Sequence, residues 1–495
     1  MRKIGAVSIS VVLAVGLLFV GSYTGTTNAM RKAKAQTATA RPNFVFILTD
    51  DMRKDDLRYM PKTRSLLKRR GMSFENAFVS NALCAPSRAS IMRGQYSHGT
   101  HVWSNSSTDS PSIAVGGWEA YQRNGDEADN VATRLHSAGY RTGLFGKYMN
   151  RYADTTYTPP GWDRWFAIST KGDPQYFDYD VNDDGRMRHF GTSGSDYVTD
   201  VLSRKTNAFV GSSASGNAPF FAYVAPIAPH APAVPAPRDE HTHDGVNGPR
   251  LPSFDEENVS DKPAWIRKLP RLTADQVAAI DLRHERRVES LQAVDDLVGG
   301  VVSTLKNASA MGNTYIYFTS DNGFHHGEHR IKEQKWRPYE EDVLVPLLVR
   351  GPGVAAGSTT YKLALNIDYL PTFTDLACSS GPCDTRNWSY VPDGRSLEPV
   401  LHGGVSTWRS GVLLEAAANY SPAYESIRTI STGGVPKRKY VEYAGGAREF
   451  YSLDLDPYER IDGYNALDPP SGLPSRLAAL ETCAAATCRT AENGQ

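Results

Sequence analysis

Asn43-Phe44-Val45-Phe46-Ile47-Leu48-Thr49-Asp50-Asp51 is the stretch from which the fold of this chain is read. Asn43 to Leu48 is a continuous apolar run between Pro42 and an acidic pair. Strict alternation would mark a strand with one face in water. A run without alternation marks a strand buried on both faces, as in a parallel sheet covered by helices. Thr314 to Phe318 (TYIYF) is a second such run and leads into Thr319-Ser320-Asp321-Asn322-Gly323. Phe220 to Val224 (FFAYV) is a third, followed by a Pro-rich loop that holds His230, and Leu347-Leu348-Val349 is a shorter fourth. Helical patterns lie between them. Val131 to His136 is one. Thr273, with Gln276 three residues on, opens another with a capping box. Leu291, Val294, Val298, Val301 and Leu305 continue it at helical spacing, with Gly299-Gly300 as a candidate kink. The alternation predicts an α/β fold: a large, doubly wound, mainly parallel sheet domain.

Three of these runs lead straight into residues with ligand chemistry. Open α/β sheets bind ligands outside the carboxyl ends of their strands. Asp50, Asp51, Asp321, Asn322 and His230 are therefore placed to converge, although they lie far apart in the chain. Asp and Asn also end strands because they favour turns, but three such ends together weigh against that reading. Asp50, Asp51, Asp321 and Asn322 offer only oxygen, a set that suits calcium first and magnesium second. Zinc would want nitrogen or sulfur.

The rest of the chain sets the context. With 54 Lys+Arg against 54 Asp+Glu, the charge balance excludes a dedicated binder of nucleic acid or anionic membrane. Arg2-Lys3, the apolar Val11 to Val20 and Thr27-Asn28-Ala29 read as a signal peptide over residues 1–29, with a retained anchor as the alternative. Residues 30–42 read as a polar linker. The expected catalytic domain spans 43–370. From Pro371 onward Gly and Pro are frequent and alternation appears, as in Lys439 to Tyr443, so residues 371–495 are expected to form a smaller α+β subdomain with an antiparallel sheet. Of the five cysteines, Cys378/Cys383 and Cys483/Cys488 are spaced for two short disulfide loops, which leaves Cys84 over.

Cys84 opens Cys84-Ala85-Pro86-Ser87-Arg88, followed by Ala89-Ser90 and later Gly94. This segment resembles the signature of the sulfatase family, in which the cysteine is oxidised after translation to formylglycine. The resemblance extends in order along the chain. Phe145-Gly146-Lys147-Tyr148 is similar to the family's glycine–lysine segment. Ala228-Pro229-His230-Ala231-Pro232 is similar to its Pro-His motif. Lys335, with Tyr339-Glu340 and Val345-Pro346-Leu347 behind it, resembles the segment of the second sulfate-binding lysine, and Asp454 to Glu459 resembles the C-terminal motif. Within the family, Asn313 to His325, Val349 to Gly353 and Ser290 to Val298 look like the N-acetylglucosamine-6-sulfatase, extracellular heparan sulfatase and arylsulfatase branch.

The resemblance implies hydrolysis of an organic sulfate monoester, either a sulfated sugar of the glucosamine-6-sulfate type, as in glycosaminoglycan degradation, or an aryl sulfate. A thiolate attacking sulfur would form an ester with no easy release. A hydrated aldehyde has one hydroxyl to attack and another to expel sulfate. Calcium on Asp50, Asp51, Asp321, Asn322 and the matured Cys84 would hold that nucleophile against the ester. Arg88 and Lys147 would stabilise the hydrate, Lys335 would clamp sulfate, and His230 would handle the leaving-group proton. Many sulfatases carry His two residues after the glycine–lysine motif's lysine. Here that residue is Met149, which leaves His325, His98 and His101 as candidates for the unfilled role. Maturation would need a formylglycine-generating enzyme. The protein would be secreted, extracellular or periplasmic, with no membrane association after signal cleavage and no nucleic-acid partner. The rivals are a phosphate or phosphonate ester hydrolase on the same fold and an inactive carbohydrate-binding relative.

Overall fold

The computed structural model describes residues 41–494 apart from 107–114, 154, 173, 380–382, 387, 418–421, 432–435, 465–469 and 471. The expected signal peptide and nearly all of the expected linker lie outside the described residues. Among the described residues no helix is long and apolar enough to cross a membrane.

A ten-stranded sheet organises the chain. Its strands are β1 (Asn43–Thr49), β2 (Met72–Phe78), β3 (Arg141–Gly146), β4 (Arg164–Ile168), β5 (Tyr179–Asp183), β6 (Arg186–Phe190), β7 (Phe220–Ala225), β8 (Thr314–Ser320), β9 (Leu347–Arg350) and β10 (Ser358–Leu365). They run in the order β10-β2-β9-β8-β1-β7-β3-β4-β5-β6. The block β8-β1-β7-β3-β4 is parallel throughout. The β4-β5-β6 edge is antiparallel. β9, part of the expected parallel set, instead runs antiparallel to both β8 and β2. Its three buried apolar residues look like those of a parallel strand because both of its faces are covered. No long crossover helix separates it from β8, so the chain returns in the opposite sense.

The central strands are buried because each face meets its own core. Phe44, Phe46 and Leu48 pack with Phe221, Tyr223, Tyr317 and Phe373 on one side. Val45 and Ile47 pack with Phe220, Val224, Ile316 and Phe318 on the other. That second face is closed by two helices, Val198–Ala214 and Ala274–Asn307. The longer one starts at the expected capping box, in which Thr273 Oγ1 accepts from Gln276 N and Gln276 Oε1 accepts from Thr273 N. It runs unbroken through Gly299-Gly300. Glycine serves close approach there: a Cβ on Gly300 would stand 2.7 Å from Asn207 of the neighbouring helix.

β11 (Gly411–Ala416), β12 (Tyr424–Thr429), β13 (Arg438–Tyr443) and β14 (Arg448–Ser452) form a separate antiparallel sheet, paired in sequence order. Val412, Leu414, Ile427 and Val441 share a core with Phe78, Val79 and Leu363 of the large sheet's margin. Glu415 N donates to Ser80 O at 2.8 Å. The helix Tyr369–Ser379 spans the expected boundary at 370/371 and packs through Phe373 on Phe44 and Phe46. Cys378 is joined to Cys383 and Cys483 to Cys488, while Cys84 is free and buried.

Candidate active site

Register alone brings the strand ends together. Thr49 pairs with Ser320, Ile47 with Val224, and Gly146 with Ala225. The chain therefore leaves β1, β8 and β3 at one edge, as Asp50, Asp321 and Lys147. Asp321 N donates to Thr49 O at 3.0 Å and Lys147 N to Ala225 O at 2.9 Å. Gly146 has φ 118°, and a Cβ there would lie 2.0 Å from Ala225 O, so only glycine lets β3 turn out at that point. Asp51 takes a left-handed backbone, φ 67°. Its N–H donates to Asp321 Oδ1 at 3.0 Å, and Arg287 donates to its carbonyl.

Cys84 is the first residue of the helix Cys84–Arg93, and Arg88 follows one turn on, on a segment buried almost throughout. The Cys84 sulfur lies 3.4 Å from Asp50 Oδ1, 3.9 Å from Asp51 Oδ1 and 2.8 Å from Lys335 Nζ. Lys147 Nζ donates to Asp50 Oδ2 at 2.6 Å. Arg88 reaches Asp321 Oδ2 through Nε at 2.9 Å and the Lys147 carbonyl at 2.7 Å. Asn322 Nδ2 donates to Asp51 Oδ1 at 2.7 Å. His230 is half-buried with Nε2 3.7 Å from Asp51 Oδ2, and its Nδ1 lies 2.6 Å from Ala231 O. That second contact assigns the proton to Nδ1 and leaves the Nε2 lone pair facing the carboxylates.

The electrostatics follow from charges packed out of water. Burial works to raise the Asp50 carboxyl, but Lys147, His230, Arg88 and Lys335 outweigh it and hold it well below the usual range. Asp51 is likewise lowered, with Lys335 as the main opponent of burial. Asp321 is pushed up to about 6 by burial and by Asp50. Burial and Asp50 push the Cys84 thiol up to about 12, so the encoded side chain is not a thiolate nucleophile. Burial lowers His230, against the pull of Asp51 and Asp50.

The residues fit a hard divalent cation. Asp50, Asp51 and Asp321 bring carboxylate oxygens within 4.8 Å of one another in a buried setting. Asn322 Oδ1 is buried with no hydrogen-bond partner. Crowded carboxylates plus an orphaned amide oxygen are the donor set such a cation takes.

The other histidine candidates fall elsewhere. His98 is held by Glu415 Oε2 and Cys483 O, both at 2.9 Å, with neither ring nitrogen left over. His98, Cys483 and Cys488 cluster, but the two cysteines are bonded to each other and offer no thiolate. His101 is exposed. His325 is buried with Nδ1 2.6 Å from Asp342 and Nε2 unpartnered, and among the described residues no hydrogen bond or ion pair joins its ring to the Cys84 cluster. Two site residues had no sequence signal. Arg287 donates to the carbonyls of both Asp51 and Pro229, and Tyr176 donates to His230 O at 2.7 Å. They fix the backbone on either side of the cluster.

Known proteins share this arrangement of chain. The family model described as Sulfatase matches residues 42–379. The chain is 32% identical to human N-acetylglucosamine-6-sulfatase over 91% of its own length and 86% of that protein. It is 31% identical to an arylsulfatase of Volvox carteri over 92% of its length and 76% of that relative. Among solved structures, one described as a complex with its substrate D-glucosamine-2-N,6-O-disulfate superposes with TM-score 0.72 at 23% identity, covering 92% of this chain and 99% of that one.

Proposed function

The chain belongs to the sulfatase family, and from that premise we propose that it hydrolyses a sulfated amino sugar of the glucosamine-6-sulfate type to the alcohol and inorganic sulfate. Cys84 matured to formylglycine is the nucleophile, and calcium bound by Asp50, Asp51, Asp321 and Asn322 is the cofactor. The observation that carries this reading is the placing of Cys84, the one free cysteine, between Lys335 and the carboxylates of Asp50 and Asp51. An exported thiol with no disulfide partner and no thiolate character has no other evident use there.

Charge supports it as well. Three carboxylates (Asp50, Asp51, Asp321) face three fixed cations (Arg88, Lys147, Lys335), a balanced set. A divalent cation would give the pocket surplus positive charge, which an anionic sulfate ester offsets. The matured side chain supplies a hydrated aldehyde, one hydroxyl to take the sulfuryl group and another to release it as sulfate. Lys147 holds Asp50, and through it the orientation of the carboxylate next to residue 84. Arg88 ties Asp321 to the Lys147 carbonyl and so locks two strand ends together. Lys335 sits beside residue 84 to bind sulfate oxygens. His230 presents Nε2 toward the same space, and once that nitrogen has taken up a proton the imidazolium would protonate the leaving oxygen.

Names of relatives support the sugar; the Volvox arylsulfatase supports an aryl sulfate as the second reading. Two disulfides and the N-terminal leader support export, with maturation by a formylglycine-generating enzyme. A phosphonate monoester hydrolase of Agrobacterium radiobacter shares the fold at TM-score 0.63 and 20% identity. Turnover of nitrophenyl sulfate against nitrophenyl phosphate decides between the chemistries. Sulfate is expected to be preferred; a preference for phosphate would overturn the reading.

A further inference from the structure

The C-terminal part of the chain contains a cavity of about 620 Å³ that shares no lining residue with the Cys84 cluster. Arg395, Arg438 and Arg476 line it together with Trp408, Thr429 and Ile430, and among the described residues no acidic side chain does. Two of the arginines are held in place by the fold. Arg395 donates to Arg489 O at 3.0 Å and to Glu492 Oε2 at 2.8 Å. Arg476 donates to Ala491 O at 2.6 Å and to Glu492 O, acceptors that leave its charge in place. The Arg438 guanidinium, on β13, has no carboxylate within 4.0 Å among the described residues.

Behind this wall Arg409 is buried between Asp368 and Glu492. Glu492, which also takes Arg395, is therefore already shared. Among these side chains four arginines (Arg395, Arg409, Arg438 and Arg476) face two carboxylates (Asp368 and Glu492), a surplus of two positive charges. Trp408 is fixed by a bond from Nε1 to Leu363 O at 2.6 Å, with the guanidinium carbons of Arg395 and Arg409 each 5.4 Å from its ring. The cavity thus combines guanidinium forks, an apolar ring surface and a hydroxyl.

Guanidinium forks match sulfate and carboxylate oxygens bidentately. The volume falls in the range of roughly 300–1,000 Å³ typical of sites for small organic ligands. A bare sulfate would leave most of it unfilled, including the space beside the partly exposed Trp408 ring. We propose that this cavity is an accessory binding site for a sulfated oligosaccharide, whose sulfate groups meet Arg395, Arg438 and Arg476 while a sugar ring lies on Trp408. That the anion is a sulfated sugar rests on the substrate reading above; that the ligand is anionic and carries a ring rests on the cavity.

The test uses full-length Cys84→Ala protein, so that nothing is turned over. It is titrated calorimetrically with a sulfated heparin-type tetrasaccharide, with the same tetrasaccharide desulfated, and with inorganic sulfate. Binding of the sulfated tetrasaccharide beyond the event at the Cys84 site is expected, and Arg438→Glu should weaken it about tenfold or more. Thr407→Phe, on the exposed rim, should block it without removing a buried contact. Either change in the otherwise unaltered enzyme should leave kcat/KM for nitrophenyl sulfate as it was. Binding of the tetrasaccharide untouched by both substitutions overturns the proposal. So does inorganic sulfate binding as tightly as the sulfated tetrasaccharide, which would make the cavity an anion site only. Failure of every sulfate ester to turn over, with Arg438-dependent binding intact, would instead count against the proposed reaction and leave this site standing.

Discussion

The Lys335 ammonium lies 2.8 Å from the Cys84 sulfur and against Asp51 Oδ1, although 251 positions of chain separate the lysine from the cysteine. Burial opposes its charge, but Asp51 and neighbouring groups raise Lys335 well above the ordinary lysine value. Its charge is fixed across the working pH range. A fixed cation beside residue 84, the proposed nucleophile, would act on a bound sulfate whatever the leaving group is.

That separates it from His230. Lys335→Ala should lower kcat/KM for a sugar sulfate and for nitrophenyl sulfate by similar factors, on the order of 10²–10³. His230→Ala should slow the sugar sulfate by roughly 10²–10⁴-fold and the nitrophenyl ester far less, since nitrophenolate leaves without protonation. Steady-state kinetics on both substrates with both variants checks this. Equal losses for His230→Ala would assign His230 to binding sulfate alone.

Chelating the proposed calcium should cost both activity and stability. Asp50, Asp51 and Asp321 share one small buried space, and a cation that binds only the folded state stabilises it by mass action. At a hundredfold excess over Kd the gain is about 2.7 kcal/mol, read as a rise in Tm of the chelated protein on adding calcium. Calcium should restore turnover better than zinc, and Asp321→Ala should respond in neither assay. Full activity after thorough chelation would refute the metal reading.

A pH effect is expected away from the site. Burial lowers the His98 imidazole, but the Glu415 hydrogen bond and charge prevail and bring it to about 9, against an ordinary 6.5. A folded pKa above the unfolded one means the stabilisation is complete below pH 6.5 and is lost as pH rises through about 9. The contribution is of order 1–2 kcal/mol. His98→Gln should therefore depress Tm most under mildly acidic conditions, with the gap closing in alkali. Calorimetry across that range would show a constant gap if the pair were only a neutral hydrogen bond.

How far the sequence could be read depended on what each residue is surrounded by. β1, β7 and β8 were legible because strands covered on both faces must be apolar at every position. β2 (MSFENAF) and β6 (RMRHF) were not: the first carries buried Ser73 and Asn76, and the second is largely exposed. The direction of β9 is set by the connection that leads to it, which its own residues do not encode. Asp50 and Asp321 stood out because they sit where apolar runs end, and Lys147 only through the resemblance of Phe145 to Tyr148 to a family motif. Arg287 did not, since Glu285-Arg286-Arg287-Val288 reads as a solvated helix face. Only the tertiary fold turns that arginine inward to the carbonyls of Asp51 and Pro229.

The proposed reaction needs residue 84 to be an aldehyde. Mass spectrometry of the tryptic peptide Gly71–Arg88 from fully active protein tests it most directly. The peptide should be lighter by one sulfur and two hydrogens and heavier by one oxygen than the encoded form, and it should react with aldehyde probes. Fully active protein whose Cys84 is entirely unmodified thiol would contradict the account.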